Sequence, residues 1–154
     1  MIRNWLIATS AVALLGTGAA CGGASQYVVT GTEKSVGVDG VIEITRSQED
    51  VNEVSVLLVN LPPPERHDKG LKVFVVWLTP KDGEPVKAGR LAYDSEGRRG
   101  SLRATTPNDQ VYVQVTAESS SRVAKPSDFV VVSKHVTLKS GPGAMIEGAD
   151  LSQQ

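Results

Sequence analysis

Few side chains in this sequence could carry out chemistry. The 154 residues include one cysteine and two histidines, which excludes an internal disulfide framework and a cysteine-rich zinc site. His67 lies in the segment Glu65-Arg66-His67-Asp68, whose side chains could supply a metal or acid–base site. Adjacent residues rarely point at one atom, and no second histidine is near in sequence, so we interpret the segment as a solvated loop. The enzymatic alternative is a hydrolase that uses carboxylates such as those of Glu65 and Asp68.

The other candidates for chemistry also favour structural roles. His135 is predicted to lie at the surface or rim of a strand, and Trp77 in the core, because it belongs to the most apolar strand. The basic cluster Arg98-Arg99 with Arg103 could bind a phosphate or a lipid headgroup, but nearby acidic residues favour a solvated turn. The sequence has no Gly-x-Ser-x-Gly elbow, Walker loop, dinucleotide-binding motif or calcium loop. We therefore predict no catalytic residue, no metal site and no cofactor.

The single cysteine, Cys21, follows a segment that is typical of a secretory signal peptide. Arg3 is the only charge before Glu33, and residues 5–16 form a mostly apolar run, shorter than the roughly 20 residues that cross a bilayer. The small residues 18–20 directly precede the cysteine. This arrangement resembles a bacterial lipobox, in which the cysteine thiol is lipidated and the amine becomes the new N-terminus. Residue 18 is glycine where that motif usually has leucine, so ordinary signal-peptidase cleavage is the alternative.

The lipobox resemblance implies an attachment and a location. Two or three acyl chains on Cys21 would anchor the protein stably in a membrane. Gly22 follows the cysteine in place of the aspartate that often signals inner-membrane retention, which favours the outer membrane, facing the periplasm or the surface. We expect a bacterial cell-envelope lipoprotein whose partner is an envelope protein or a cell-wall component.

The charge and composition of the chain indicate its class. Lys and Arg number 16 against 17 Asp and Glu, and this balance argues against a nucleic-acid partner, because such proteins usually carry a concentrated basic surface. The length favours one domain. Aromatic residues make up only 5% of the chain, so the core must consist of aliphatic side chains, and the abundance of valine favours strands.

The sequence that follows the cysteine is typical of strands. Val111, Val113 and Val115 alternate with polar residues, whereas the runs 54–61 and 71–78 are apolar on both faces, as in central strands. Eight strands are predicted, over residues 27–30, 36–44, 54–61, 71–78, 86–93, 101–105, 111–116 and 129–138. Turn sequences rich in Pro, Asp and Gly separate several of them.

Short strands at regular spacing predict an all-β fold. The expected architecture is an Ig-like antiparallel β-sandwich of about 7–8 strands, after a cleaved signal peptide, with a small barrel as the alternative. The predicted organisation is a lipoprotein signal peptide at 1–20, a lipidated tether at 21–26, the β-sandwich at 27–138 and a disordered C-terminal tail at 139–154.

The middle of the sequence is similar to a known extracytoplasmic domain. One predicted strand leads into Leu61-Pro62-Pro63-Pro64, another contains Val76-Trp77-Leu78, and a later one contains Val115-Thr116-Ala117-Glu118. Further matches are Pro85-Val86, Ala88-Gly89, Asp94, Gly97 and Pro126. The pattern resembles the C-terminal β-sandwich domain of sigma-K-type anti-sigma factors, over about residues 54–132.

That resemblance implies a fold and an envelope location rather than sigma-factor binding. The family's zinc-containing sigma-binding domain and transmembrane helix are missing, and the signal peptide with Cys21 takes their place. The family supplies no catalytic residues. We therefore expect a lipid-anchored, non-catalytic binding or structural module. The alternatives are a signalling or sensory module related to the anti-sigma domain and, from a different class, the hydrolase considered above.

Overall fold

The structure, a computed structural model, describes residues 23–47 and 51–139. Within these ranges the chain forms nine strands and two single turns of 3₁₀ helix, Glu33–Ser35 and Pro64–Arg66. The strands are β1 (Ala24–Thr30), β2 (Asp39–Arg46), β3 (Asn52–Val59), β4 (Val73–Pro80), β5 (Val86–Arg90), β6 (Ala92–Asp94), β7 (Arg99–Thr106), β8 (Gln110–Glu118) and β9 (Val130–Thr137). Among the described residues, no helix is long and apolar enough to cross a membrane.

The strands form two antiparallel sheets. One sheet has the order β1-β2-β3-β7-β6, and the other has the order β5-β4-β8-β9. The set β3-β7-β6 facing β5-β4-β8-β9 follows the strand arrangement of an immunoglobulin-type sandwich. The predicted all-β, Ig-like antiparallel β-sandwich is confirmed.

The ninth strand arises because one predicted strand is divided between the sheets. Residues 86–93 were expected to form one strand, but β5 pairs with β4 in one sheet and β6 pairs with β7 in the other. Leu91 marks the crossing: it is buried between the sheets, and its N–H donates to the Phe74 carbonyl at 2.9 Å. The crossing lets the backbone groups on both sides of Leu91 pair in a ladder, so nine strands form where about eight were predicted.

Valine dominates the core between the sheets, as the composition indicates. The inward-facing residues of β8 are Val111, Val113 and Val115, and each is at most 3% exposed. Phe74 lies in this core and packs edge-on against Tyr93, with ring centroids 5.2 Å apart. Burial of such side chains stabilises the fold by about 25 cal/mol for each Å² of apolar surface removed from water.

Two boundaries differ from the prediction. β1 begins at Ala24, so residues 24–26 belong to the sandwich rather than to the tether. The segment before β2 is a 3₁₀ turn followed by Gly37 in the left-handed region at φ 87°, which leaves Val36 83% exposed where a strand was expected. The signal peptide, Cys21 and residues 140–154 of the predicted tail lie outside the described residues.

Side-chain and backbone groups of the β1–β2 hairpin form hydrogen bonds with both ends of the outer edge of β9. The Tyr27 hydroxyl donates to the Thr137 carbonyl at 2.7 Å and accepts from the Thr137 N–H at 3.0 Å. At the other end, the Thr32 N–H and the Ser35 hydroxyl both donate to the Val131 carbonyl. These bonds join the two sheets and satisfy backbone groups that an edge strand would otherwise leave open to another chain.

Candidate functional site

The outer face of the four-stranded sheet carries the site. The register pairs Trp77 of β4 with Gln114 of β8, and Thr79 of β4 with Tyr112 of β8. Tyr112 is in turn opposite His135 of β9. Because paired residues of an antiparallel ladder share a face, these side chains form adjacent rows that point away from the core.

The half of this face around Trp77 is covered by the β8–β9 connection, residues 119–129, and is named the covered half. Trp77 is fully buried there, and its Nε1 donates to Thr116 Oγ1 at 2.8 Å. Thr116 Oγ1 donates to Glu118 Oε1, which also accepts the Ser127 N–H at 2.8 Å. Lys87 Nζ lies 5.9 Å from the centroid of the indole, so its side chain adds to the cover.

Trp77 is therefore buried as predicted, but it does not belong to the core between the sheets. That core includes its neighbours Val76 and Leu78, whereas Trp77 faces the other way. Lys87 Nζ also donates to the Ser121 carbonyl at 2.8 Å, so the connection is fastened to both sides of the indole. A strand pattern alone could not distinguish the two faces, because the run 71–78 is apolar on both.

The half around Tyr112 and His135 is uncovered and is named the open half. It is a groove of about 460 Å³, within the range of small-molecule sites. The two rings form its aromatic part, with centroids 4.6 Å apart and planes inclined by 38°. Its lining residues are Thr79, Pro80, Lys81, Gly83, Gln110, Val111, Tyr112, His135, Val136 and Thr137. The prediction that His135 is a surface residue is confirmed, since its side chain is exposed.

The lining of the open half carries a positive charge, and the nearest negative charges lie beside the groove. Lys81 is the one charged lysine, arginine or carboxylate side chain among the described residues that line the groove. Asp82 and Asp109 lie instead in an adjoining depression that Lys81 also borders. Asp109 accepts hydrogen bonds at 2.8 Å from Asn52 and from Arg46, and these contacts lower its pKa, the bond from Asn52 most. Its charge is thus already paired with Arg46.

The segment around His67 lies at the other end of the sandwich. The prediction of a solvated loop holds for Glu65 and Asp68, which are exposed, but is wrong for His67. Its ring packs on Phe129 with centroids 4.9 Å apart, and its Nε2 is buried without a hydrogen-bond partner. This burial lowers the pKa of His67. Phe129 ends the β8–β9 connection, so the histidine supports the far side of the covered half.

The three arginines do not make one common contact. Arg98 adopts φ 49° in the β6–β7 turn, and its guanidinium donates to the Asn60 carbonyl at 2.8 Å. Arg103 lies on the outer face of the other sheet, 3.6 Å from the Glu53 carboxylate. The contacts of Arg98 fasten a turn to the end of β3, in agreement with a structural role.

Other site chemistry is limited in the part of the chain that the structure describes. There, no three His, Cys, Asp or Glu side chains lie together as a metal site would require. Cys21, the predicted lipidation site, lies outside the described ranges. The Tyr112–His135 groove was missed by sequence reasoning, although the β-strand periodicity of residues 110–116 places Tyr112 on the outer face.

Comparison of the chain with protein-family models, curated proteins and solved structures finds no significant match. The resemblance to the sigma-K-type anti-sigma domain therefore stays a prediction from short motifs.

Proposed function

We propose that this protein is a lipid-anchored, non-catalytic binding module of the bacterial cell envelope, attached through Cys21. The observation that carries the proposal is the position of the single cysteine, directly after an apolar segment and three small residues. The single cysteine of this sequence therefore lies at the position where lipidation requires a cysteine.

The fold is compatible with attachment at this point. β1 begins at Ala24, three residues after Cys21, and three residues span at most about 10 Å. The Lys139 N–H donates to Ser25 Oγ at 2.9 Å, so the last described residue also lies at this end. An acylated Cys21 would therefore hold this end of the sandwich next to the lipid headgroups, with the His67 end directed away.

The open half supports a binding role. Thr137 of β9 and Pro80 of β4, which both line the groove, are the last residues of strands that end on the same side of the sandwich as Ser25. The groove would then lie close to the membrane surface, where it could meet an envelope component. Binding through this groove needs no residue of the covered half.

A signalling module related to the anti-sigma domain is the second candidate. The Ig-like strand order agrees with the fold that the sequence resemblance implies. A genomic neighbour that encodes a sigma factor or a membrane kinase would favour this candidate over a structural wall-binding module.

Metabolic labelling with an alkyne analogue of palmitate tests the anchor. The wild-type chain should carry label and sediment with membranes, and Cys21→Ala should lose the label. The matched control Cys21→Ala/Gly23→Cys keeps one thiol two residues away from the proposed site. Label on that control, or label retained by Cys21→Ala, would contradict attachment at Cys21.

A further inference from the structure

The open half presents an aromatic surface bordered by polar groups. The Tyr112 and His135 rings are held side by side by the β8–β9 ladder, and the next row along the same face pairs Gln110 with Thr137. Thr79 lies opposite Tyr112 on the other side. Two hydroxyls and an amide thus surround two exposed or half-buried rings.

This combination matches the two faces of a sugar. The C–H groups on one face of a pyranose ring pack on aromatic carbon, and its hydroxyls need donors and acceptors around the rim. An acyl chain would fill the same space but would leave Gln110, Thr79 and Thr137 without new partners, and unpaired polar groups disfavour binding. The side chains therefore favour a saccharide over a lipid tail.

The charge of the rim favours an acidic sugar. Lys81 forms no ion pair or hydrogen bond in the described part of the chain, and no carboxylate lines the groove itself. Of the two aspartates next to it, Asp109 is held by Arg46, which leaves Asp82 as the opposing charge. An ammonium group beside the aromatic pair is placed to meet a carboxylate or phosphate on the ligand.

We propose that the Tyr112–His135 groove binds a sugar residue that carries an acidic group, as found in the polysaccharides of a cell wall. This proposal rests on the proposed function, because the lipid anchor is what would bring the groove to the cell envelope, where such a ligand occurs. The volume of the groove, about 460 Å³, suits a small-molecule ligand such as one sugar unit rather than a protein partner.

The binding test uses the detergent-solubilised full chain and isothermal titration. The probe is the disaccharide N-acetylglucosaminyl-N-acetylmuramic acid, and the matched neutral probe is N,N′-diacetylchitobiose, which lacks the carboxylate. We expect tighter binding of the acidic probe, with a preference that weakens at high salt because the Lys81 contact is exposed. Equal binding of both probes, or binding of neither, would overturn the proposal.

Substitutions assign the binding to the groove. Tyr112→Ala should weaken the acidic probe about tenfold, whereas Tyr112→Phe keeps the ring and should stay within about twofold. Lys81→Gln should remove the preference for the acidic probe, while the control Lys125→Gln, an exposed lysine of the β8–β9 connection that does not line the groove, should not. Unchanged affinity in Tyr112→Ala with an unchanged unfolding curve would overturn the assignment.

A competition experiment distinguishes an acidic sugar from an acidic lipid headgroup as the ligand. Phosphatidylglycerol vesicles are added to a detergent-free titration of Cys21→Ala, which carries no acyl chain and can therefore meet the vesicles only through the folded domain. If the protein bound the vesicles but not the disaccharide, the disaccharide would not displace it from them. That result would overturn the saccharide assignment in favour of a lipid headgroup. Running the disaccharide titration on Cys21→Ala as well keeps a failed anchor distinct from a failed ligand.

Discussion

The covered and open halves of one sheet face both lie on β4 and β8 but have different properties. In the covered half, Trp77 is sealed by the β8–β9 connection and its indole N–H is bonded to Thr116. In the open half, which begins in the adjacent row of the same face, Tyr112 and His135 remain accessible. The difference lies in where the β8–β9 connection folds. An aromatic side chain that the connection covers stabilises the fold, and one that it leaves uncovered stays accessible from solvent.

Removal of Trp77 should have the largest effect, because it empties the covered half. Trp77→Ala should lower the free energy of unfolding by about 3–5 kcal/mol, the range for a fully buried aromatic residue. Urea unfolding followed by circular dichroism measures the change. Trp77→Phe retains most of the packing and loses the bond to Thr116, so it should lie between the wild type and Trp77→Ala. A loss below about 0.5 kcal/mol for Trp77→Ala would show that the cover is not part of the folded unit, because this is the range of an ordinary surface change.

Loss of the Glu118 carboxylate should have the next largest effect. Glu118→Ala leaves the Thr116 hydroxyl and the Ser127 N–H without their shared acceptor, which costs about 1–3 kcal/mol for buried groups. The connection should then open more often, and trypsin should cleave faster after Arg122 within it. Glu118→Gln keeps one acceptor oxygen and should be cleaved at an intermediate rate. Equal cleavage rates in all three proteins would contradict the role of Glu118 as the fastening of the cover.

The pH dependence of stability should come from the far side of the cover. Burial against Phe129 lowers the pKa of His67 below its ordinary value of 6.5. Below pH 6.5 the unfolded chain then binds more protons than the folded chain, so the contribution of this histidine is complete above pH 6.5 and is lost as the pH falls toward its folded pKa. The melting temperature should fall between pH 7 and pH 5.5, and less so in His67→Phe.

Two other groups, Asp109 and His135, are distinguished from His67 as sources of this pH dependence. The lowered pKa of Asp109 lies below 3.8, outside this pH range, so it does not produce the same slope. His135 is exposed on the open half, and His135→Gln is the matched control for a histidine that does not support the cover. A pH profile in His67→Phe identical to that of the wild type would rule out His67 as the source.

Most strands were predictable, because alternation and turn residues act locally. The alternation of Val113 and Val115 with polar residues predicts a buried face. The prolines after Leu61 end a strand because proline has no N–H to donate in the ladder. The division of residues 86–93 at Leu91 was not predictable, because the transfer of β6 to the other sheet depends on β7, which is distant in sequence from β4.

The candidate site was predictable only in part. The exposure of His135 followed from its alternation with buried valines, but the neighbouring aromatic ring comes from β8 through the register with Tyr112. His67 was expected in solvent because of its charged neighbours, yet Phe129, which is 62 positions away in sequence, provides an apolar contact. Contacts of this kind depend on how loops fold together, and no local pattern encodes them.

The smallest effect on stability is expected in the open half, and this result would complete the comparison. Tyr112→Ala removes a ring that stacks on the exposed His135 without filling the core, so the free energy of unfolding should change by no more than about 0.5 kcal/mol. The same urea titration used for Trp77→Ala measures this change. Tyr112→Phe should match the wild type, because the Tyr112 hydroxyl forms no hydrogen bond with another described residue. If Tyr112→Ala destabilised the protein by several kcal/mol, the ring would be structural, and the open half would lose its distinction from the covered half. A near-neutral change in stability combined with weaker saccharide binding would instead assign the ring to recognition, since folding would not require it.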